Sequence, residues 1–139
     1  MKQKVCAVLG MAGGWIAHLM GGWNAAVGAL VACMAVDYLT GLIVAGVFHA
    51  SPNSSGGGLE SGAGWKGLTR KFVTLLIVLA AHQMDVVLGA GYIRDAVIIG
   101  FCANECISIL ENAARMGLPI PKMFRNAIDL MRQNAEKTK

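Results

Sequence analysis

The sequence predicts an all-α membrane protein of four transmembrane helices, or three if the first segment does not cross, with a short amphipathic cytoplasmic helix at the C-terminus. Three observations predict it. The 139 residues are 55% apolar and only 14% charged, against about 25% charged in an ordinary soluble domain, so a compact soluble fold would lack the polar side chains to cover its surface. No charged residue occurs from Val5 to Val36, a run too long for one crossing, which takes about 20 residues. Eleven of the twelve lysines and arginines fall on one side once four spans are drawn, the asymmetry expected of cytoplasmic loops. The net charge of +4 comes with no basic stripe interleaved with aromatics, which argues against a nucleic-acid partner.

The first span is read as residues 5–20. It ends at Gly21-Gly22-Trp23-Asn24, where two glycines and an asparagine permit a turn and the tryptophan suits the headgroup level. The second span is 25–48, interrupted only by Asp37. Residues 51–64 are rich in glycine and serine and nearly devoid of apolar side chains, so they are read as a flexible loop. The third span is 72–88, carrying His82 and Asp85 and closing at Gly89-Ala90-Gly91; the fourth is 93–110, carrying Asn104 and Glu105. Arg115, Gly117 and Pro119 follow as a helix stop. Residues 1–121 thus form the transmembrane domain and 122–139 a basic tail, in which Phe124, Ala127, Ile128 and Met131 are spaced for one helical face. That tail fits a helix lying on the membrane surface or a solvated helix packed on nothing.

With both termini in the cytoplasm, Lys66, Arg70, Lys71, Arg115, Lys122 and Arg125 are membrane-surface cations and only Arg94 lies outside. If the first segment did not cross, Lys2 and Lys4 would join Arg94 and the asymmetry would weaken. Two decoys are set aside. Lys2 and Lys4 before an apolar run resemble a signal peptide and Leu30-Val31-Ala32-Cys33 a lipoprotein cleavage box, but the apolar run continues past Cys33 where a polar tether would follow. Asn53-Ser54-Ser55 matches a glycosylation acceptor, yet falls on the cytoplasmic side. Cys6, Cys33, Cys102 and Cys106 form no metal-binding spacing and read as small buried hydrophobes.

An ionised carboxylate at the centre of a span costs about 2.5 to 3.5 kcal/mol on insertion scales, so the intramembrane polar groups need partners. In the second span Ala25, Ala29, Cys33, Asp37, Gly41 and Ala45 recur every four residues, a strip of small side chains with Thr40 beside it. Thr74, Ala81, His82, Asp85 and Gly89 share a face of the third, and Glu105, Ser108 and Asn112 one of the fourth, with Asn104 and Glu111 adjacent. Four helices with polar strips offer more polar surface than a dry monomeric core satisfies, which favours self-association or a water-filled path over simple glue within one bundle. Asp37 and Asp85 are expected neutral while buried, with both Asn variants delaying any opening. No nucleophile is placed for His82 and Asp85, so neither a catalytic site nor a bound metal or cofactor is expected.

Gly21-Gly22-Trp23, Asp37-Tyr38-Leu39-Thr40-Gly41, Gly67-Leu68-Thr69-Arg70-Lys71 and the run from Asn104-Glu105 through Ser108 to Pro121 resemble the phage holin family that includes clostridial toxin-secretion holins. The resemblance spans about Gly21 to Pro121, departing at Asn24, where an acidic residue is common, and in the glycine-rich stretch 55–64. It implies a small inner-membrane protein that accumulates, assembles with copies of itself into lesions, and lets an endolysin through without binding it. Two other classes remain open: a small four-helix proton-coupled exporter or ion channel, and a membrane adaptor working through its basic tail. Such exporters usually carry the carboxyl in their first span, where this chain has none.

Overall fold

The computed structural model describes residues 1–137. It contains five helices, α1 (Lys2–Leu19), α2 (Ala25–Gly46), α3 (Ser61–Leu88), α4 (Ile93–Arg115) and α5 (Lys122–Lys137), and no strand among the described residues. Helices α2 and α3 are long and apolar enough to cross a membrane. The other two segments expected to span do not meet that measure by length and composition: α1 begins with Lys2, Gln3 and Lys4 and holds three glycines and His18, and α4 carries Arg94, Asp95, Glu105, Glu111 and Arg115.

The three helices α2, α3 and α4 form the body. Helix α4 lies between the other two and packs most extensively on α2, then on α3, while α2 and α3 touch little. This central position lets α4 bury Arg94, Glu105 and Asn112 against its neighbours. Helix α1 has no buried residue and packs, slightly, on α3. Its Gly10, Gly13 and Gly14 face open space.

Turn chemistry sets the boundaries. Asn24 has extended backbone and its Oδ1 accepts from the Val27 amide at 3.1 Å, capping α2. Gly89, at φ +63°, ends α3 in a left-handed conformation. Beyond α4, the amides of Gly117 and Leu118 donate back to the Ala114 and Ala113 carbonyls, with Gly117 at φ +78°, which is the stop the sequence predicts. Helix α3 starts at Ser61, eleven residues before the expected Phe72, so 61–64 of the expected loop are helical. Ahead of it Ser55 donates to the Glu60 carboxylate through both its hydroxyl (2.7 Å) and its amide (3.3 Å), holding that carboxyl below its usual range.

The apolar core sits at one end. Met20, Val27, Leu30, Met34, Val78 and Ile98 form one buried cluster, drawn from the halves of the helices nearest the 21–24 and 89–92 turns. Toward the other end polar groups enter the interior: Glu105 and Asn112 are buried along with Val44 and Ala45, as are Asp85 and Arg94 beside the turns, while Leu39, Ile43, Phe72, Leu76, Val86, Val87 and Ile99 are exposed. Apolar outside and charged inside is the reverse of a soluble domain and fits a bundle surrounded by lipid.

Candidate functional site

The polar interior centres on three charges from three helices. Lys71 on α3 places its Nζ 2.7 Å from Oδ2 of Asp37 on α2 and 2.6 Å from Oε2 of Glu105 on α4. All three side chains are nearly covered, at 14%, 16% and 10% exposure. Around them Asn112 of α4 donates to Thr40 Oγ1 (3.0 Å), Asp37 Oδ1 (3.3 Å) and the Asp37 carbonyl (3.4 Å), and the Thr40 hydroxyl donates to that carbonyl at 3.0 Å. Gly41 lies against the Asn112 amide, where an added Cβ would still fit at 3.8 Å. Two carboxylates share one ammonium, so the cluster carries one surplus negative charge unless one carboxyl keeps its proton.

Lys71, expected at the membrane surface, is here an interior partner. Because α3 begins ten residues before it, Lys71 stands about 15 Å along the helix at 1.5 Å per residue, and its long side chain turns into the α2–α4 contact. Lys66 and Arg70 are exposed, as are Lys122 and Arg125; Arg115 is partly covered and lies 3.9 Å from Glu111. Ser108 joins Asp37 and Asn112 in lining a cavity of about 120 Å³, roofed by Pro52, Asn53 and Leu59. Such a space is large enough for several waters beside Asp37. Asn104, expected beside the polar face, is exposed.

A second polar network ties the opposite end. Asp85 of α3 accepts the amides of Ile93 (3.0 Å) and Arg94 (2.9 Å), one with each carboxylate oxygen, and so caps α4 across the turn. Arg94, the single cation assigned to the outside, is buried; its Nη2 donates to the Gly22 carbonyl (3.0 Å) and Asn24 Oδ1 (3.4 Å). His82 covers Gly21, where an added Cβ would come within 2.6 Å of the ring, and Gln83 donates to the Leu19 carbonyl. These contacts join the α1–α2 turn to the α3–α4 turn. The sequence reading missed the cap; an acidic residue followed eight positions later by a helix start after Gly89 and Gly91 was the available signal.

The four-residue strip on α2 splits. Asp37, Gly41 and Ala45 face inward, but Ala25 and Ala29 are exposed and Val27, Leu30 and Met34 take their place. The reason is geometric: each four-residue step advances about 40° around the helix, so a strict strip cannot stay on one face for five turns. None of the cysteines is fully buried; Cys33 on α2 meets Cys102 and Cys106 of α4 across the helix contact. Among the described residues no group of three side chains could hold a metal.

The sequence profile of the bacteriophage holin family matches residues 14–133. An uncharacterised protein of Listeria monocytogenes is 40% identical over 112 residues, covering 80% of this chain and 74% of the relative. One from Halalkalibacterium halodurans is 36% identical over 128 residues, 88% and 89% of the two chains. A protein of Bacillus phage phi105 named a probable holin is 30% identical over 105 residues, 74% and 72% of the two chains. No solved structure matches.

Proposed function

The chain belongs to the bacteriophage holin family, and on that premise we propose that it accumulates in the bacterial inner membrane as a four-span protein with both termini cytoplasmic. There it associates with copies of itself and opens lesions that release an endolysin, or a toxin, and collapse the membrane potential. It does so by rearranging helices rather than by catalysing a reaction, and the endolysin passes without docking.

The observation that carries this reading is the three-helix charge cluster in an otherwise lipid-facing bundle. Closed, Lys71 satisfies Asp37 and Glu105 and lets α2, α3 and α4 sit in lipid. Parted, the same side chains and Ser108, Thr40 and Asn112 line polar faces that need water or a second copy. The cavity beside Asp37, with room for several waters, supports a water path that starts at this end. Trp65 is exposed near the start of α3 and Tyr92 in the turn after its end; from Trp65 to the end of α3 the helix runs about 35 Å at 1.5 Å per residue, enough to cross a hydrocarbon core of about 30 Å. Helix α4, too polar to cross alone, enters the bilayer as part of the bundle with Glu105 turned inward, and α1 enters beside α3. The exporter reading finds less support, since its essential carboxyl would here be held by a lysine.

Expression with an endolysin lacking a signal peptide is expected to leave cells intact for a delay and then lyse them abruptly, because assembly rises with concentration by mass action. If cells hold their membrane potential at high expression and the endolysin stays inside, the holin reading fails.

Asp37→Asn is expected to delay lysis at matched membrane levels. It removes the surplus negative charge and leaves Lys71 and Glu105 as a balanced pair, so the closed bundle is favoured. The direction agrees with the sequence-based expectation, but the reason differs: Asp37 is ion-paired with Lys71 rather than packed as a lone neutral acid. Unchanged timing would remove this residue from the opening step.

A further inference from the structure

We propose that α5 lies along the cytoplasmic membrane surface and binds anionic lipid headgroups, with its apolar face sunk toward the acyl chains. The sequence KMFRNAIDLMRQNAEK divides into two arcs at 100° per residue. Met123, Phe124, Ala127, Ile128, Leu130, Met131 and Ala135 fall within one arc of about 160°, interrupted only by Asn134. The remainder is polar, and its basic residues are not evenly spread: Arg125 and Arg132 lie along one boundary of the apolar arc and Lys137 along the other. Cations at those two boundaries can extend sideways to headgroups while the face between them is buried.

The described residues of that face, Met123, Phe124, Ala127 and Leu130, are not covered by the rest of the chain. Met123, Phe124 and Leu130 are 79%, 48% and 60% exposed, and none of the described α5 side chains is buried; the side chains of Ile128, Met131, Arg132 and of residues 134–137, and residues 138 and 139, lie outside the described residues. A solvated helix would have no use for so wide an apolar arc. A membrane is the occupant within reach: residues 116–121 link α5 to the end of α4 and span at most about 20 Å when extended. Exposed Lys66 and Arg70 near the start of α3 add to the positive potential at the same end. Charge complementarity therefore selects an anionic surface over a neutral one.

This inference rests on the membrane placement of the bundle but not on lesion formation. It is tested with the full chain in lipid nanodiscs, which expose both faces, made of phosphatidylcholine with or without phosphatidylglycerol. In a cysteine-free background, an environment-sensitive fluorophore at position 124 or 127 is expected to shift to the blue and resist an aqueous quencher in the anionic discs. The same probe at 126 or 133 is expected to stay quenchable. Replacing Arg125 and Arg132 with glutamine is expected to lower the bound-to-free ratio about thirtyfold, from about 1 kcal/mol per basic residue at an anionic surface. Tryptic cleavage after Lys122 and Arg125 of the unmodified chain, slower in anionic than in neutral discs, reads the same event without the cysteine substitutions. Equal quenching at 124 and 126 would show a solvated tail and overturn the proposal. Protection that persists in neutral discs or after the arginine replacements would overturn it too, by assigning the face to protein. Neither readout needs lysis, so failure here and failure of the holin reading are separable.

Discussion

Replacing Lys71 by methionine is expected to be the most damaging single change in the bundle. It removes the only cation among the described residues within salt-bridge distance of Asp37 and Glu105, leaving two covered carboxylates turned toward one another. Breaking a buried ion pair by deleting one partner costs about 3 to 5 kcal/mol, and the remaining acids must take up protons, recruit water or push the helices apart. The expected result is a bundle that opens at lower detergent or denaturant concentration and lysis that begins early at matched membrane levels. The triple variant Asp37→Asn, Lys71→Met, Glu105→Gln restores charge balance with similar volumes. It is expected to recover most of the lost stability while lysing late, because no unpaired charge drives the helices apart. That pattern distinguishes electrostatic release from simple misfolding: a single variant that lyses on schedule, or a triple variant no more stable than the single, would refute the cluster as the closing contact.

Asp85→Ala is expected to loosen the opposite end of the molecule. The Ile93 and Arg94 amides lose their acceptors at the first turn of α4, where no intrahelical carbonyl can replace them. Arg94, whose guanidinium holds the α1–α2 turn through the Gly22 carbonyl and Asn24, is then free to drift, so both turns are disturbed by one substitution. Amide exchange at Ile93 and Arg94 is expected to accelerate at least about tenfold, the scale of losing a good N-cap, with little change at Glu105 and Asn112. Asp85→Asn keeps one acceptor oxygen and is expected to fall between. This gives Asp85→Asn the opposite sign to Asp37→Asn, earlier opening instead of delay, where the sequence reading had assigned both the same direction. Exchange rates unchanged in Asp85→Ala would show that the cap contributes nothing.

Part of this was legible in the linear chain because it depends on local signals. Helical content, the turn at Gly21 to Asn24, the stop at Gly117 and the inward face of Glu105, Ser108 and Asn112 follow from hydropathy, glycine and proline placement and helical period. The family was legible in short motifs, above all the run from Asn104 to Pro121, and the profile match over residues 14–133 agrees. The start of α3 was not, since Ser61 to Trp65 continues the glycine- and serine-rich composition of the preceding loop and only packing against Tyr38, at Gly64 and Gly67, gives those residues a reason to be helical.

That one boundary decided the site. Counted from Phe72, Lys71 is a residue outside the span and belongs to the surface; counted from Ser61, it is two to three turns inside and becomes the partner of two acids. Composition and helical period alone make this chain helical, apolar on its outer faces and in need of partners for Asp37, Asp85 and Glu105. Which partner each one takes was decided by tertiary structure: Lys71 lies 34 residues from both Asp37 and Glu105, and Arg94 lies 72 from Gly22. Charge at such separations is carried by helix packing and register, and a shift of a few residues in one helix start turns a side chain from lipid surface to interior because each residue turns the helix by about 100°.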